Sequence, residues 1–203
     1  IVLAFVGIYI VRTVVSVAVQ GVSDGSGMQY VKEWAAMFKN PMMWLNIAAL
    51  PINYFFVFIA FFGEEYGWRY CLQPVLQKRF GLRAGVIILG VVWGLWHIPD
   101  DLFYYTQTSG IQMIFAQQIT CISLGIFFAY AYMKTQNIWV PVCLHYLNNN
   151  LIPIISGTFS ADVLENQTVS WKDLPVALVL NGLCFGFFLL ADVFKKKEVQ
   201  EEE

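Results

Sequence analysis

Charge is what this sequence has least of. Charged residues make up 13% of the 203 residues, whereas 58% are hydrophobic and 17% are aromatic. An average soluble domain has about 25% charged and about 45–50% apolar residues. The mean hydropathy is +0.60, and too few polar side chains remain to cover the surface of a soluble domain. The composition therefore excludes a soluble enzyme and predicts a protein for which the lipid bilayer is the main solvent.

Excess positive charge and paired cysteines are also missing. Twelve basic residues stand against 14 acidic ones, giving a net charge of −2, so the chain has no basic field that would attract nucleic acid. No two cysteines have the CxxC spacing of a zinc knuckle or a redox couple. All four lie within or beside apolar runs, and we interpret them as small buried residues of helices: Cys71, Cys121, Cys143 and Cys184.

The first residues lack the features of a signal peptide. The chain begins at Ile1 inside an apolar run, without a methionine or a basic leader, and Arg12 interrupts the run. A signal peptide would begin with a positively charged segment. We therefore interpret residues 1–20 as a membrane helix and expect further helices upstream in a longer protein.

Long apolar runs fill most of the remaining chain. A membrane-spanning helix needs about 20 mostly apolar residues, and the polar loop 156–173 and the charged tail 195–203 fall outside such runs. We predict an all-α fold, a polytopic transmembrane helix bundle with about six spanning helices in one integral membrane domain over 1–203. The candidate spans are 1–20, 43–63 with an extension to 77, 84–99, 111–133, 138–155 and 174–194.

The distribution of basic residues predicts the orientation of the bundle, because cytoplasmic loops carry an excess of lysine and arginine. With the tail 195–203 in the cytoplasm, alternation through six spans puts Asp100 and Asp101 outside. More basic residues then lie inside than outside: Lys78, Arg79, Arg83, Lys134, Lys195, Lys196 and Lys197 against Lys32, Lys39 and Lys172. The count favours a cytoplasmic tail.

Ionisable residues interrupt the second predicted span. Such groups are costly in a membrane and are therefore candidates for function. Glu65 and Arg69 are four residues apart, in the order that favours an ion pair on a helix. Glu64 lies about 100° further around the helix and lacks that partner. This pattern separates a structural carboxylate from a reactive one.

Two further polar clusters contain the two histidines of the chain. Trp93 and His97 are four residues apart, as are His145 and Asn149. At about 1.5 Å per residue, Glu64 and His97 lie about 21 Å from the cytoplasmic basic residues and His145 about 16 Å. The spacing predicts that the clusters converge on one buried site. For each cluster alone, helix packing, interhelical hydrogen bonding and helix capping remain alternatives.

Three motifs follow one another on successive apolar spans: Glu64-Glu65-x-x-x-Arg69, Trp93-x-x-x-His97 and His145-x-x-x-Asn149. This ordered set resembles the EExxxR, FxxxH and HxxxN motifs of the CAAX protease and bacteriocin-processing family (CPBP or Abi), whose intramembrane proteases include the type II CAAX prenyl endopeptidases. The resemblance covers about residues 60–155. Trp93 departs from the usual phenylalanine of the family but keeps an aromatic wall.

The resemblance implies a helical core with a conical cavity and hydrolysis of a peptide bond in or beside the membrane. Within a catalytic core of about 43–155, Glu64 would be the general base that activates water, assisted by His97. His145 and Asn149 would polarise the scissile carbonyl and stabilise its oxyanion. These residue types suit the roles, because a carboxylate can move protons and a neutral amide can stabilise an oxyanion without adding a buried charge.

The resemblance also implies supporting residues: Arg69 would hold Glu65, and Trp93 would form the wall of the pocket. We favour a mechanism without a metal or other cofactor. Zinc is the alternative, because a His₂Glu set is typical of catalytic zinc sites, although the HExxH spacing is absent. The residues of that alternative set are Glu64, His97 and His145.

The expected partners are the lipid bilayer and a membrane-tethered, prenylated or leader-peptide protein substrate. We expect an integral membrane protein of a bacterial plasma membrane. The alternative function is a non-catalytic membrane scaffold or a bacteriocin-immunity protein with the same fold. A proton-coupled transporter is a third reading, because Glu–His relays also move protons, but the sequence has no repeated half of the kind many transporters show.

Overall fold

The computed structural model describes residues 1–24, 27–157 and 161–195. Within these ranges the chain is helical throughout its regular structure and contains no strand. The predicted all-α membrane bundle is therefore confirmed. Of the predicted tail 195–203, residues 196–203 lie outside the described part of the chain.

The helices follow one another with short connections. A π-helical turn, Tyr66–Leu72, joins α3 to α4, and two 3₁₀ turns, Gly186–Leu190 and Asp192–Phe194, follow α10. The helices are α1 (Val2–Asp24), α2 (Gly27–Met37), α3 (Pro41–Glu65), α4 (Gln73–Phe80), α5 (Leu82–Trp96), α6 (Ile98–Phe103), α7 (Gly110–Thr135), α8 (Trp139–Ser156), α9 (Ala161–Glu165) and α10 (Asp173–Cys184).

Two of the predicted spans are less apolar or shorter than the others. Span 138–155 corresponds to α8, whose histidine and three consecutive asparagines make it less apolar. Span 174–194 begins as α10, which has only 12 residues before the helix tightens into 3₁₀ turns. Length and hydropathy alone therefore identify four spanning stretches among the described residues, fewer than the six predicted: Val2–Val19, Pro41–Phe80, Leu82–Phe103 and Gly110–Thr135.

The second spanning stretch is helical from Pro41 to Phe80. It begins at Asn40, whose side chain accepts a hydrogen bond from the backbone N–H of Met42 at 2.9 Å. It ends at Gly81, where φ is +89°, a conformation that favours glycine. An ideal straight helix of these 40 residues would be about 60 Å long, twice the hydrocarbon thickness of a bilayer. The π-helical turn lies in this stretch directly after Glu65, and such turns are frequent at functional sites.

Helices α5 and α7 approach each other closely through glycines. A Cβ atom added at Gly90 would lie 2.6 Å from the backbone Cα of Ile122, and one added at Gly125 would lie 3.5 Å from the Cα of Gly90. Small residues allow helices to pack backbone to backbone in membranes. This contact holds the end of α5, which carries Trp93 and His97, against α7.

The N-terminal helices pack onto the rest of the bundle. On α1, the ring of Phe5 lies 5.5 Å from that of Phe127 and 5.9 Å from that of Phe185. On α2, the indole N–H of Trp34 donates to the carbonyl oxygen of Ile155 at 2.8 Å. These contacts bring α1 and α2 beside α7 and α8, where the polar residues of the bundle gather.

Candidate active site

Glu65 is the centre of a buried charged network. Its side chain is 0% exposed, with one carboxylate oxygen 3.1 Å from Nε of Arg69 and the other 2.8 Å from Nδ1 of His145. The ion pair with Arg69 is present as predicted. The sequence did not predict the contact with His145, which joins the end of α3 to α8.

Arg69 is held by aromatic rings as well as by Glu65. Its guanidinium carbon lies 4.9 Å from the centre of the Trp93 ring and 5.2 Å from that of Phe128. A cation is attracted to the face of an aromatic ring, and the attraction strengthens away from water. The fully buried guanidinium therefore ties the π-helical turn to α5 and α7.

The ring of His145 is oriented by its surroundings. It meets the rings of Phe61 and Trp93 edge to face at 5.2 and 5.4 Å. Because a carboxylate accepts hydrogen bonds, the Glu65 contact assigns a hydrogen to Nδ1 of His145. Nε2 is then the nitrogen left for other partners.

His97 lies where α5 ends and α6 begins. Its Nδ1 is 2.9 Å from the carbonyl oxygen of Trp93, one helical turn earlier. A carbonyl oxygen only accepts, so Nδ1 carries the hydrogen and Nε2 of the neutral ring keeps a free lone pair. The sulfur of Cys121 on α7 lies 3.8 Å from the same Nδ1.

A cavity of about 370 Å³ opens between α5, α7 and α8. Four of the residues predicted for the site line it: Trp93, His97, His145 and Asn149. The side chain of Asn149 is exposed on the side of α8 that lines the cavity. His145 is almost completely buried. The predicted convergence of the second and third clusters is therefore present in the structure.

Glu64, Glu65 and Arg69 are absent from the cavity lining among the described residues. Glu65 and Arg69 are fully buried behind it. Glu64 is half-buried, and its carboxylate accepts a hydrogen bond from the indole N–H of Trp68 at 3.4 Å. Trp68 in turn contacts the ring of Trp96 at 6.1 Å. Glu64 therefore points about 100° around the helix from Glu65, whose carboxylate contacts His145 on α8.

Polar residues beyond those predicted for the site also line the cavity. Asn148 belongs to the same polar cluster of α8 as Asn149, and Gln117, Thr120 and Tyr105 were not predicted. Gln117 and Thr120 are uncharged polar residues within an apolar span, and that pattern is the signal that could have identified them. Tyr105 lies on the loop between α6 and α7, where burial, aided by the charge of Asp100, raises the pKa of its phenol to about 12.

Asp101 is a buried acidic residue near the cavity loop. It lies on α6 and is 0% exposed. Neither of its carboxylate oxygens has a hydrogen-bond partner among the residues described. The neighbouring loop is attached to the segment after α9, where the backbone N–H of Gln167 donates to the carbonyl oxygen of Tyr105 at 2.9 Å.

The alternative zinc site does not fit this arrangement. In the described part of the chain, no three His, Cys, Asp or Glu side chains are grouped so that they could hold a metal ion. His145 directs Nδ1 at Glu65, and Glu64 lies outside the cavity that contains both histidines.

The fold and the cavity together define an integral membrane protein with a polar site inside its helix bundle. Residues 46–151 match the family described as "Type II CAAX prenyl endopeptidase Rce1-like". The match covers just over half of the chain and includes every motif on which the resemblance rested. The chain belongs to this family of membrane proteases.

A relative supports the same assignment. The chain is 26% identical over 125 residues to a protein named CAAX prenyl protease 2 from Methanococcus maripaludis. The aligned part covers 57% of this chain and 45% of the relative, so the chain spans less than half of the length of that protein. No solved structure gives a significant match.

Proposed function

We propose that this protein is an intramembrane endopeptidase that hydrolyses a peptide bond of a membrane-associated or lipidated protein. The observation that carries the proposal is the cavity within the bundle that His97, His145 and Asn149 line together. Family membership supports proteolysis as the chemistry of this cavity. The fully buried Glu65–Arg69 pair directly behind the cavity supports a preorganised site.

Glu64 activates the attacking water. Its carboxylate takes a proton from the water while the water oxygen bonds to the scissile carbonyl carbon. The same proton then passes to the leaving nitrogen as the C–N bond breaks, which regenerates the carboxylate. Nε2 of His97 accepts a hydrogen bond from the second hydrogen of the water, and this hydrogen bond orients the water. A general base can act through one water, and such contacts often tighten only when substrate binds.

Asn149 and His145 stabilise the oxyanion. The side-chain amide of Asn149 donates one hydrogen bond to it. His145 donates from Nε2 in its protonated form, while Glu65 accepts the hydrogen on Nδ1. Removing one such donor from an acyl-transfer site lowers kcat by about 10²–10³. Glu65, Arg69 and Trp93 act by holding His145 in place.

The substrate and the setting of the protein follow from the same proposal. The substrate is a prenylated CAAX protein or another membrane-tethered or leader-peptide protein, cleaved at the level of the bilayer. The protein forms one domain over 1–203 in a bacterial plasma membrane, with the tail 195–203 in the cytoplasm. The name of the relative from Methanococcus maripaludis supports a prenylated substrate.

The test is cleavage of tethered peptides by purified protein in lipid nanodiscs. A farnesylated CAAX peptide and an unlipidated membrane-anchored leader peptide are assayed with the wild type, Glu64→Gln and Glu33→Gln. We expect Glu64→Gln to lose about 10²–10⁴ in kcat, the usual contribution of a general base. Glu33 is exposed on α2, away from the cavity, so the same substitution there should leave kcat unchanged.

Wild-type rates in Glu64→Gln would refute Glu64 as the base. If neither protein cleaves any peptide but both protect cells from a bacteriocin, the scaffold or immunity function is correct instead.

Dialysis against a strong chelator tests whether the activity depends on a metal. We expect full activity after dialysis; loss of cleavage that zinc restores would contradict the metal-free mechanism.

A further inference from the structure

We propose that Tyr9, on α1, is a positioning residue that orients the oxyanion donor Asn149 through Asn148. The inference rests on the function proposed above and adds a part to the site that the family match does not contain, since α1 precedes the matched residues 46–151. It makes the first helix part of the active site rather than a packing element alone.

A chain of two hydrogen bonds connects these residues. The hydroxyl of Tyr9 donates to Oδ1 of Asn148. Nδ2 of Asn148 donates to Oδ1 of Asn149 at 2.8 Å. Both asparagines line the cavity, whereas Tyr9 is only 6% exposed and approaches from behind.

These two hydrogen bonds determine which end of the Asn149 amide is available to a substrate. An asparagine side chain has an accepting oxygen and a donating nitrogen, and rotation by 180° exchanges them. Because Oδ1 of Asn149 is bound by Asn148, its Nδ2 remains the end without a protein partner among the described residues. A donating nitrogen stabilises an oxyanion, whereas a rotated amide would present oxygen and repel it.

Tyr9 fixes the orientation of the side-chain amide of Asn148. If Asn148 rotated, its oxygen would face Asn149 and draw the nitrogen of Asn149 away from the substrate. A phenol hydroxyl is a better donor than acceptor, so Tyr9 favours the orientation in which Oδ1 of Asn148 points towards it. Tyr9 thus orients the amide of Asn148, and Asn148 in turn orients the amide of Asn149.

Tyr9 is itself rigidly held. Its ring lies 5.0 Å from that of Phe5 and 5.0 Å from that of Phe185. The guanidinium of Arg12 lies 5.9 Å from the same ring and is fixed by a 2.7 Å hydrogen bond from Nε to Oδ1 of Asn181. A donor that is locked by packing can orient its partner without a further loss of freedom.

A double-mutant cycle tests the proposal on the farnesylated peptide. We expect Tyr9→Phe to lower kcat about tenfold with KM unchanged, part of the loss that removal of an oxyanion donor causes. In an Asn149→Ala background we expect no further loss from Tyr9→Phe, because the two residues act through one interaction. Tyr130→Phe is the matched control: Tyr130 also packs in the aromatic core, against Phe188 at 4.9 Å, and should behave as the wild type.

Independent losses that multiply in the double variant would overturn the proposal, since they indicate a general effect on folding. So would a Tyr9→Phe enzyme with wild-type kcat. A second measurement does not depend on activity: the side-chain amide resonances of ¹⁵N-asparagine-labelled protein, with the Asn149 peak identified by its loss in Asn149→Asp. We expect Tyr9→Phe to shift the peaks of Asn148 and Asn149, and Tyr130→Phe to leave them in place.

The experiments distinguish failure of the proposed protease mechanism from failure of the proposed role of Tyr9. If the wild type cleaves nothing, or if Glu64→Gln cleaves at the wild-type rate, the proposed protease mechanism fails and the resonances alone decide the hydrogen-bond chain. If Glu64→Gln is inactive while Tyr9→Phe shifts no asparagine resonance, the protease mechanism stands and the role of Tyr9 is refuted.

Discussion

Glu64 and Glu65 are adjacent in the chain but have different chemical surroundings. Glu65 is completely buried, and its two oxygens are occupied by Arg69 and His145. Glu64 is half-buried and has one long hydrogen bond, from Trp68. Successive residues on a helix point about 100° apart, so the same backbone presents the carboxylate of Glu65 to α8 and that of Glu64 in another direction, towards Trp68. One acid therefore serves the structure and the other is available for chemistry.

The two glutamates should respond differently to the same substitution. Glu65→Gln leaves the buried guanidinium of Arg69 without a compensating charge, and breaking a buried pair costs about 3–5 kcal/mol. We expect a clearly lower unfolding temperature in detergent and a loss of activity for Glu65→Gln, but a wild-type unfolding temperature for Glu64→Gln. Thermal unfolding of both variants, followed by circular dichroism, checks this. Equal unfolding temperatures would contradict the structural role of Glu65.

At the scale of helices, the position of His97 depends on how closely α5 approaches α7. Gly90 lies one helical turn before Trp93 and faces the backbone of Ile122. A side chain there has no flexible neighbour that could yield, because the nearest atom is a Cα at 2.6 Å. The absence of a side chain at Gly90 thus allows the aromatic wall and the histidine of α5 to reach the cavity.

Gly90→Ala should separate α5 from α7 and move His97. Overpacking of this kind costs about 1–3 kcal/mol, and a displacement of about 1 Å at a catalytic group can lower the rate by about 10²-fold. We expect a lower unfolding temperature and a reduced kcat. Gly7→Ala is the matched control, because nothing lies within 4 Å of a Cβ added at Gly7. Unchanged kcat in Gly90→Ala would show that the close approach does not position the site.

At the scale of the whole molecule, the two ends of the bundle differ in composition. At one end, Arg83 and Lys195 line the same surface depression as Phe80. Towards the other end, the loop after α6 is joined to the segment after α9 by the Gln167–Tyr105 hydrogen bond, and Leu164 and Gln167 line the cavity. Because basic residues favour the cytoplasmic side, we predict that this end faces the cytoplasm.

Cysteine labelling tests this orientation. Thr168 and Phe80 are exposed near the two ends, and replacement of the exposed Cys71 by alanine gives a background with fewer reactive thiols. We expect a membrane-impermeant maleimide to label Thr168→Cys in intact cells and Phe80→Cys only after permeabilisation. The Cys71→Ala parent, which should stay unlabelled, is the control. Labelling of Phe80→Cys alone in intact cells would reverse the orientation.

Features within one helix could be predicted from the sequence because their spacing is local. The scarcity of charge indicated a membrane protein, the apolar runs located the helices, and the four-residue spacing predicted the Glu65–Arg69 pair. The order of the motifs likewise indicated the family. The predictions were less accurate for α8 and α10, where polar residues and a tightened 3₁₀ backbone changed the length and hydropathy of the spans.

Contacts between helices depend on how the helices pack against one another. The bond from Glu65 to His145 and the hydrogen bond from Tyr9 to Asn148 both depend on how far each helix is rotated about its axis. That rotation is determined by packing, as at the backbone contact between Gly90 and Ile122, and not by the residues of one helix. The spacing of residues along the sequence showed which polar side chains interrupt the apolar runs. Which of them touch was decided when the helices packed.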